Sequence, residues 1–85
     1  MFYVYILQSQ QDQSFYIGYT TDIERRLSQH NNGLSRYSKT KTPWKIVYQE
    51  VYASKTEALK REIFLKKQRN PAFYQSLADT YDSFG

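Results

Sequence analysis

The run FYVYIL (Phe2–Leu7) is β-branched or aromatic at every position but its closing leucine. It lacks the polar alternation of a half-solvated strand, so it reads as a strand buried on both faces. A polar connector, QSQQDQS, leads to FYIGYT (Phe15–Thr20), a second strand that closes a hairpin with the first. WKIVYQEVY (Trp44–Tyr52) is the third strand. With 85 residues, the chain is expected to form one domain over residues 1–85. Such a domain buries only ~60–65% of its unfolded surface, which leaves a small core.

Helix signals fill the gaps between these strands. Thr21 and Glu24 stand in capping-box spacing ahead of DIERRLSQH, and NNG offers residues that tolerate left-handed backbone at its end. Ser54 and Glu57 form a second capping box before KTEALKREIFLKKQ. Asn70 and Pro71 then supply an N-cap and a first helical residue for AFYQSLADTY, with DSFG expected to fray. LSRYSKTKTP reads as a polar, basic loop. The predicted order is β-β-α-β-α-α: an α+β domain with a small three-stranded, largely antiparallel sheet flanked by helices.

Composition narrows the function classes. The chain has no cysteine, so disulfides and thiolate metal sites are excluded. No segment reaches the ~18 apolar residues of a membrane span, and MFYVYIL is too short and lacks the basic start of a signal peptide. A cytoplasmic protein with no membrane partner is expected. The formal charge is +4, and the basic residues cluster in ERR, SRYSKTKTPWK and LKREIFLKKQR. Lys and Arg interleaved with Tyr and Trp suit a nucleic acid, because cations neutralise phosphates and rings stack on bases. An ordinary basic surface fits the charge equally well. The nucleic-acid candidates are Arg36, Lys39, Lys41 and Lys45 around the loop, with Lys66 and Lys67 on the second helix.

Helical geometry separates neighbours that look alike. With Ile23 at zero, Leu27 falls at about 40° and the two define a buried stripe. Arg26 and His30 lie beside that stripe at about 300° and 340°, whereas Arg25 faces water at about 200°. On the second helix, with Ala58 at zero, Leu65 lies at about 340°, Leu59 at about 100° and Ile63 at about 140°. Glu62 falls at about 40°, inside that arc, while Glu57 lies outside it. A buried carboxylate is costly unless paired, so Glu62 is expected either to bridge internally, with Arg26 as one candidate partner, or to bind metal. In the strands, Tyr3, Tyr5 and Leu7 share one face, and Tyr16 shares a face with Gly18. Gly18 would leave room for a ligand. Taken singly, each tyrosine reads as structural.

Together these residues resemble the GIY-YIG nuclease superfamily, and its small single-domain bacterial members above all. YVYIL stands where the first signature lies, without its glycine, and YIG (Tyr16-Ile17-Gly18) is the second signature unchanged. DIERRLSQH is similar to the family's arginine helix and TEALKREIFLKK to its glutamate helix. The resemblance implies Tyr5, Tyr16, Arg26 and His30 as catalytic residues, and Glu62 as the ligand of Mg²⁺ or Mn²⁺. Asn70 is the candidate for an asparagine that many members carry after the glutamate helix, although its capping position already accounts for it. The implied activity is metal-dependent endonucleolytic hydrolysis of nucleic acid, DNA rather than RNA, in repair or processing. Arg26 would bind the phosphate and Tyr16, with Tyr5 nearby, would orient and deprotonate water; His30 would carry a proton or donate to the phosphate. With no second DNA-reading element, little sequence specificity is expected. The rival readings are a non-catalytic nucleic-acid-binding module and an interaction domain with a structural Arg26–Glu62 pair.

Overall fold

The computed structural model describes residues 1–32 and 39–84. Strands β1 (Phe2–Ser9) and β2 (Phe15–Thr20) lead to helix α1 (Ile23–Asn31). A 3-10 turn (Lys39–Lys41) precedes β3 (Trp44–Tyr52), α2 (Lys55–Gln68) and α3 (Pro71–Phe84). The strands form one antiparallel sheet in the order β2-β1-β3, so the apolar β1 is central. Val4, Tyr5, Ile6 and Leu7 are all buried, as a strand covered on both faces requires.

Strand alternation divides the core into two layers. Val4, Ile6, Ile17 and Val47 pack against Ala58 and Leu65 of α2 and against Tyr74 and Ala78 of α3. Tyr5, Leu7 and Trp44 face the other way, where Ile23 and Leu27 of α1 pack with Tyr16 and Ile46. A register shift between Ile6 and Leu7 in the β1–β3 pairing accommodates Val47.

Local chemistry sets the ends, with one correction to the expected caps. The N-cap of α1 is Asp22, not Thr21, and its carboxylate accepts the Arg25 amide at 3.1 Å. Thr20 Oγ1 takes the Asp22 amide at 3.1 Å and ties the strand end to the cap, which moves the helix start one residue on. At the other end of α1, the Asn31 side chain clamps Trp44, accepting its amide and donating to its carbonyl at 3.1 Å. Ser54 caps α2 as expected, and Asn70 Oδ1 accepts the Ala72 amide at 3.0 Å to open α3. Between these two helices Arg69 adopts a left-handed conformation, with φ 45°.

The connector after β1 is not merely a spacer. Ser9 extends the strand and is fully buried. Its hydroxyl accepts from the Gln11 and Asp12 amides and donates to the Lys41 carbonyl at 2.6 Å. A second correction concerns α2. Ala58 and Leu65 are fully buried, but Ile63 and Phe64 are exposed. The covered arc therefore runs from Arg61 through Leu65, Ala58 and Glu62 to Leu59, and Ile63 lies beyond it. Arg61 spends its charge on Glu50 of β3 through Nε and Nη2, each at 3.0 Å, while the Tyr48 and Tyr52 hydroxyls donate to the same carboxylate.

Candidate active site

Tyr5 is the centre of the α1 side of the sheet. β1 pairs Tyr5 directly with Gly18 on β2, and the Tyr5 ring lies over that glycine. A Cβ at position 18 would stand 2.5 Å from Tyr5 Cζ and closer still to the hydroxyl oxygen. The glycine of YIG is thus required by close approach: any side chain would evict the tyrosine.

The ring is placed by β-sheet register, and its hydroxyl is placed by α1. Arg26 Nε donates to Tyr5 Oη at 3.2 Å. His30, one turn further along, lies with Nε2 3.4 Å from the same oxygen and is completely buried. Its ring packs edge-on to Tyr16 at 4.5 Å between centroids, and Tyr16 in turn contacts Trp44. Tyr5, Tyr16, Arg26 and His30 therefore form one cluster, whereas Arg25 is exposed. That is the division between the two arginines that helical spacing predicts.

The electrostatics follow from burial and from Arg26. Burial drives the Tyr5 phenol up to about 12, with Arg26 opposing and the charges of Tyr16 and Glu62 adding to the rise. Tyr5 is therefore a neutral hydroxyl at neutral pH. Hydrogen bonding to Tyr5 raises the Arg26 pKa further, so the guanidinium is permanently charged. Burial first, and then the Arg26 charge, lower His30 from 6.5 to about 4, so its imidazole is neutral. A neutral Nε2 can accept the hydroxyl hydrogen that Tyr5 does not need for Arg26.

Glu62 comes from the opposite layer, on α2, and is near enough for its charge to be felt at Tyr5. Its carboxylate pairs with Lys66 at 3.4 Å, with only 16% of the side chain exposed. Among the described residues it makes no ion pair with Arg26, so the internal bridge between these two is not formed. No group of three or more His, Cys, Asp or Glu side chains lies together among the described residues. A single, largely buried carboxylate would fit Mg²⁺ or Mn²⁺ only as an ion that takes most of its ligands from water and substrate.

The basic candidates are dispersed. Lys66 and Lys67 are exposed on α2 and line a groove with Ile63 and Arg69. Lys45 is exposed on β3, while Lys41 pairs with Asp12 at 3.4 Å beside the β1–β2 turn. Lys39 opens the 3-10 turn, and Arg36 lies outside the described residues. Asn70 uses its side chain to cap α3.

The sequence pattern of the GIY-YIG catalytic domain matches residues 1–75. The chain belongs to the GIY-YIG family. Bacterial relatives align with most of the chain. A UPF0213 protein of Streptococcus pneumoniae is 41% identical over 81 residues, covering 94% of this chain and 81% of the relative. A UPF0213 protein of Staphylococcus haemolyticus is 48% identical over 65 residues, covering 75% of this chain and 78% of the relative. The solution NMR structure of a UPF0213 protein from Bacillus halodurans shares the fold with a TM-score of 0.57. It is 35% identical and covers 92% of this chain and 84% of that one. Membership places this GIY-YIG domain in a nuclease family. No helix among the described residues is long and apolar enough to cross a membrane.

Proposed function

We propose that this GIY-YIG domain is a divalent-metal-dependent endonuclease that hydrolyses nucleic-acid phosphodiester bonds, DNA in preference to RNA, with little sequence specificity. The observation that carries the reading is the Arg26–Tyr5 hydrogen bond over Gly18, which fixes a guanidinium beside two phenols and a neutral imidazole. A merely structural arginine needs no such setting of tyrosines.

In this reading Arg26 binds the scissile phosphate and the charge that develops on it, since Arg offers several donors in a fixed fork. Tyr5 stays protonated, and its hydroxyl anchors Arg26. Tyr16, less buried than Tyr5, orients the attacking water and takes its proton as the phenolate, its own hydroxyl proton having first been given up to solvent. His30 is neutral and buried, so it supports the Tyr5 hydroxyl and the Tyr16 ring instead of meeting phosphate as a cation. Glu62 would hold Mg²⁺ or Mn²⁺, which when bound supplies positive charge to a phosphate oxygen. Lys66 must then give up its pairing with Glu62 and is free to meet the nucleic-acid backbone with Lys67.

A cleavage panel of single-stranded, duplex and branched DNA and of RNA, run with Mg²⁺, Mn²⁺ or EDTA, tests the proposal. Cleavage by the wild type that EDTA abolishes and Glu62→Gln lacks is the expected result. Binding of these nucleic acids without cleavage under every metal condition would favour the non-catalytic module.

A further inference from the structure

The Arg26 guanidinium is held at a second point, by a residue that none of the sequence motifs singles out. Arg26 Nη1 donates to Gln29 Oε1 at 3.1 Å. Gln29 lies three positions along α1, on the same helix face. Arg26 and Gln29 line an open polar groove together with Arg25, Thr20, Thr21 and Asp22. Asp22 does not compete for cations there, because its carboxylate caps α1.

The chemistry of the pair fixes how Gln29 is turned. A guanidinium can only donate, so the amide oxygen of Gln29 must be the atom facing it. The amide nitrogen, with two hydrogens, then stands away from Arg26, and it donates to no group among the described residues. An amide that uses its acceptor on a phosphate-type arginine and keeps both donors uncommitted in the same groove is equipped for an anion.

We propose that Gln29 belongs to the phosphate clamp: its Oε1 orients Arg26 while its Nε2 donates to a non-bridging oxygen of the phosphate that Arg26 binds. This rests on the phosphodiester reading above and adds a specific ligand to it. Each half of the carboxamide has a separate task, and the two can be separated by substitution. Gln29→Glu keeps an oxygen for Arg26, now as a charged pair, but removes the donor and turns a negative charge toward the phosphate. Gln29→Ala loses both contacts. Gln11→Glu, at an exposed position in the β1–β2 turn, makes the same change in net charge away from the groove.

The experiment measures affinity for a short oligonucleotide in EDTA, cleavage with Mn²⁺, and melting temperature for all four proteins. Gln29→Glu is expected to melt at or above the wild-type temperature. It should nevertheless bind at least about 10-fold more weakly than Gln11→Glu, a loss of roughly 1.4 kcal/mol, with cleavage reduced to match. Gln29→Ala should also bind more weakly than the wild type. If Gln29→Glu binds and cleaves like Gln11→Glu, Gln29 is only a strut for Arg26 and the proposal is overturned. A wild type that neither binds nor cleaves would overturn the phosphodiester reading and this proposal with it.

Discussion

Replacing Gly18 by alanine tests whether the tyrosine–arginine pair really depends on the absence of a side chain there. The new Cβ would lie 2.5 Å from Tyr5 Cζ and 3.0 Å from Cε1, against ~3.5–4.0 Å for carbon atoms in comfortable contact. Tyr5 is 1% exposed and is tied to Arg26, so it cannot swing into solvent at low cost. Forcing an extra methyl into a packed site costs ~1–3 kcal/mol, and so large an overlap belongs at the upper end. Alanine recovers ~0.5–1 kcal/mol by restricting the unfolded chain. The net loss is about 2 kcal/mol, or roughly 8–16 °C in melting temperature for a domain of this size. Thermal unfolding followed by circular dichroism should show that drop. In a Tyr5→Phe background most of it should persist, because Cζ remains in place. In a Tyr5→Leu background it should largely vanish. An equal drop in the wild-type and Tyr5→Leu backgrounds would refute the reasoning.

Three further outcomes are expected. Because His30 titrates near 4 when folded and near 6.5 when unfolded, the unfolded chain binds the extra proton between those values. The His30 contribution should therefore be constant above about pH 7 and fall by roughly 3 kcal/mol as pH drops through that window. Chemical denaturation of wild type and His30→Gln at a series of pH values checks this, and parallel pH curves would contradict it. Glu62→Gln should keep the fold, since its partner Lys66 is exposed and is not stranded, but Mn²⁺ should no longer raise the melting temperature as it does for the wild type. A mutant that still gains stability from Mn²⁺ would remove Glu62 as the ligand. Arg69→Gly should raise stability by about 1 kcal/mol, because only glycine holds φ 45° without strain while the backbone bond from residue 69 to the Tyr74 hydroxyl is kept. A lower melting temperature would show that the arginine side chain contributes more than the backbone strain costs.

Much of the fold was legible because its signals are local. The aromatic and β-branched runs marked β2 and β3 with their observed limits, and Ser54, Asn70 and Pro71 marked the starts of α2 and α3, whereas α3 continues through Phe84 into the segment expected to fray. Two good caps in succession, Thr21 and Asp22, made the start of α1 ambiguous, and Thr20 decided it through a hydrogen bond that spacing does not reveal. On α2 the angles were sound but the width of the covered arc was not. What a sheet covers depends on the residues opposite, so helical spacing alone groups Ile63 with the core although it is exposed.

The site divides in the same way. Periodicity separated Arg26 from Arg25 and placed His30 one turn on, as the structure shows. It could not say that Arg26 would meet Tyr5, because that contact depends on the register of β1 against β2 and the packing of α1 over both. Nor could it show that Glu62 belongs to the layer on the other side of the sheet from Arg26, and pairs with Lys66 instead. Gln29 carries no signal in the sequence for a similar reason. A polar residue at i+3 from an arginine is common on any exposed helix, and only the Nη1–Oε1 contact gives it meaning.

The two adjacent arginines offer the most direct test of a phosphate-binding site organised around Tyr5. Initial cleavage rates would be measured with Mn²⁺ for wild type, Arg25→Ala and Arg26→Ala, with melting curves to confirm that each is folded. Arg25→Ala should lose far less than Arg26→Ala, as expected for an exposed charge that lines the groove but makes no contact with Tyr5. Arg26→Ala should lose at least about 10²-fold, the scale of removing a donor to developing charge. Equal losses in the two variants, or full activity in a folded Arg26→Ala protein, would contradict the account.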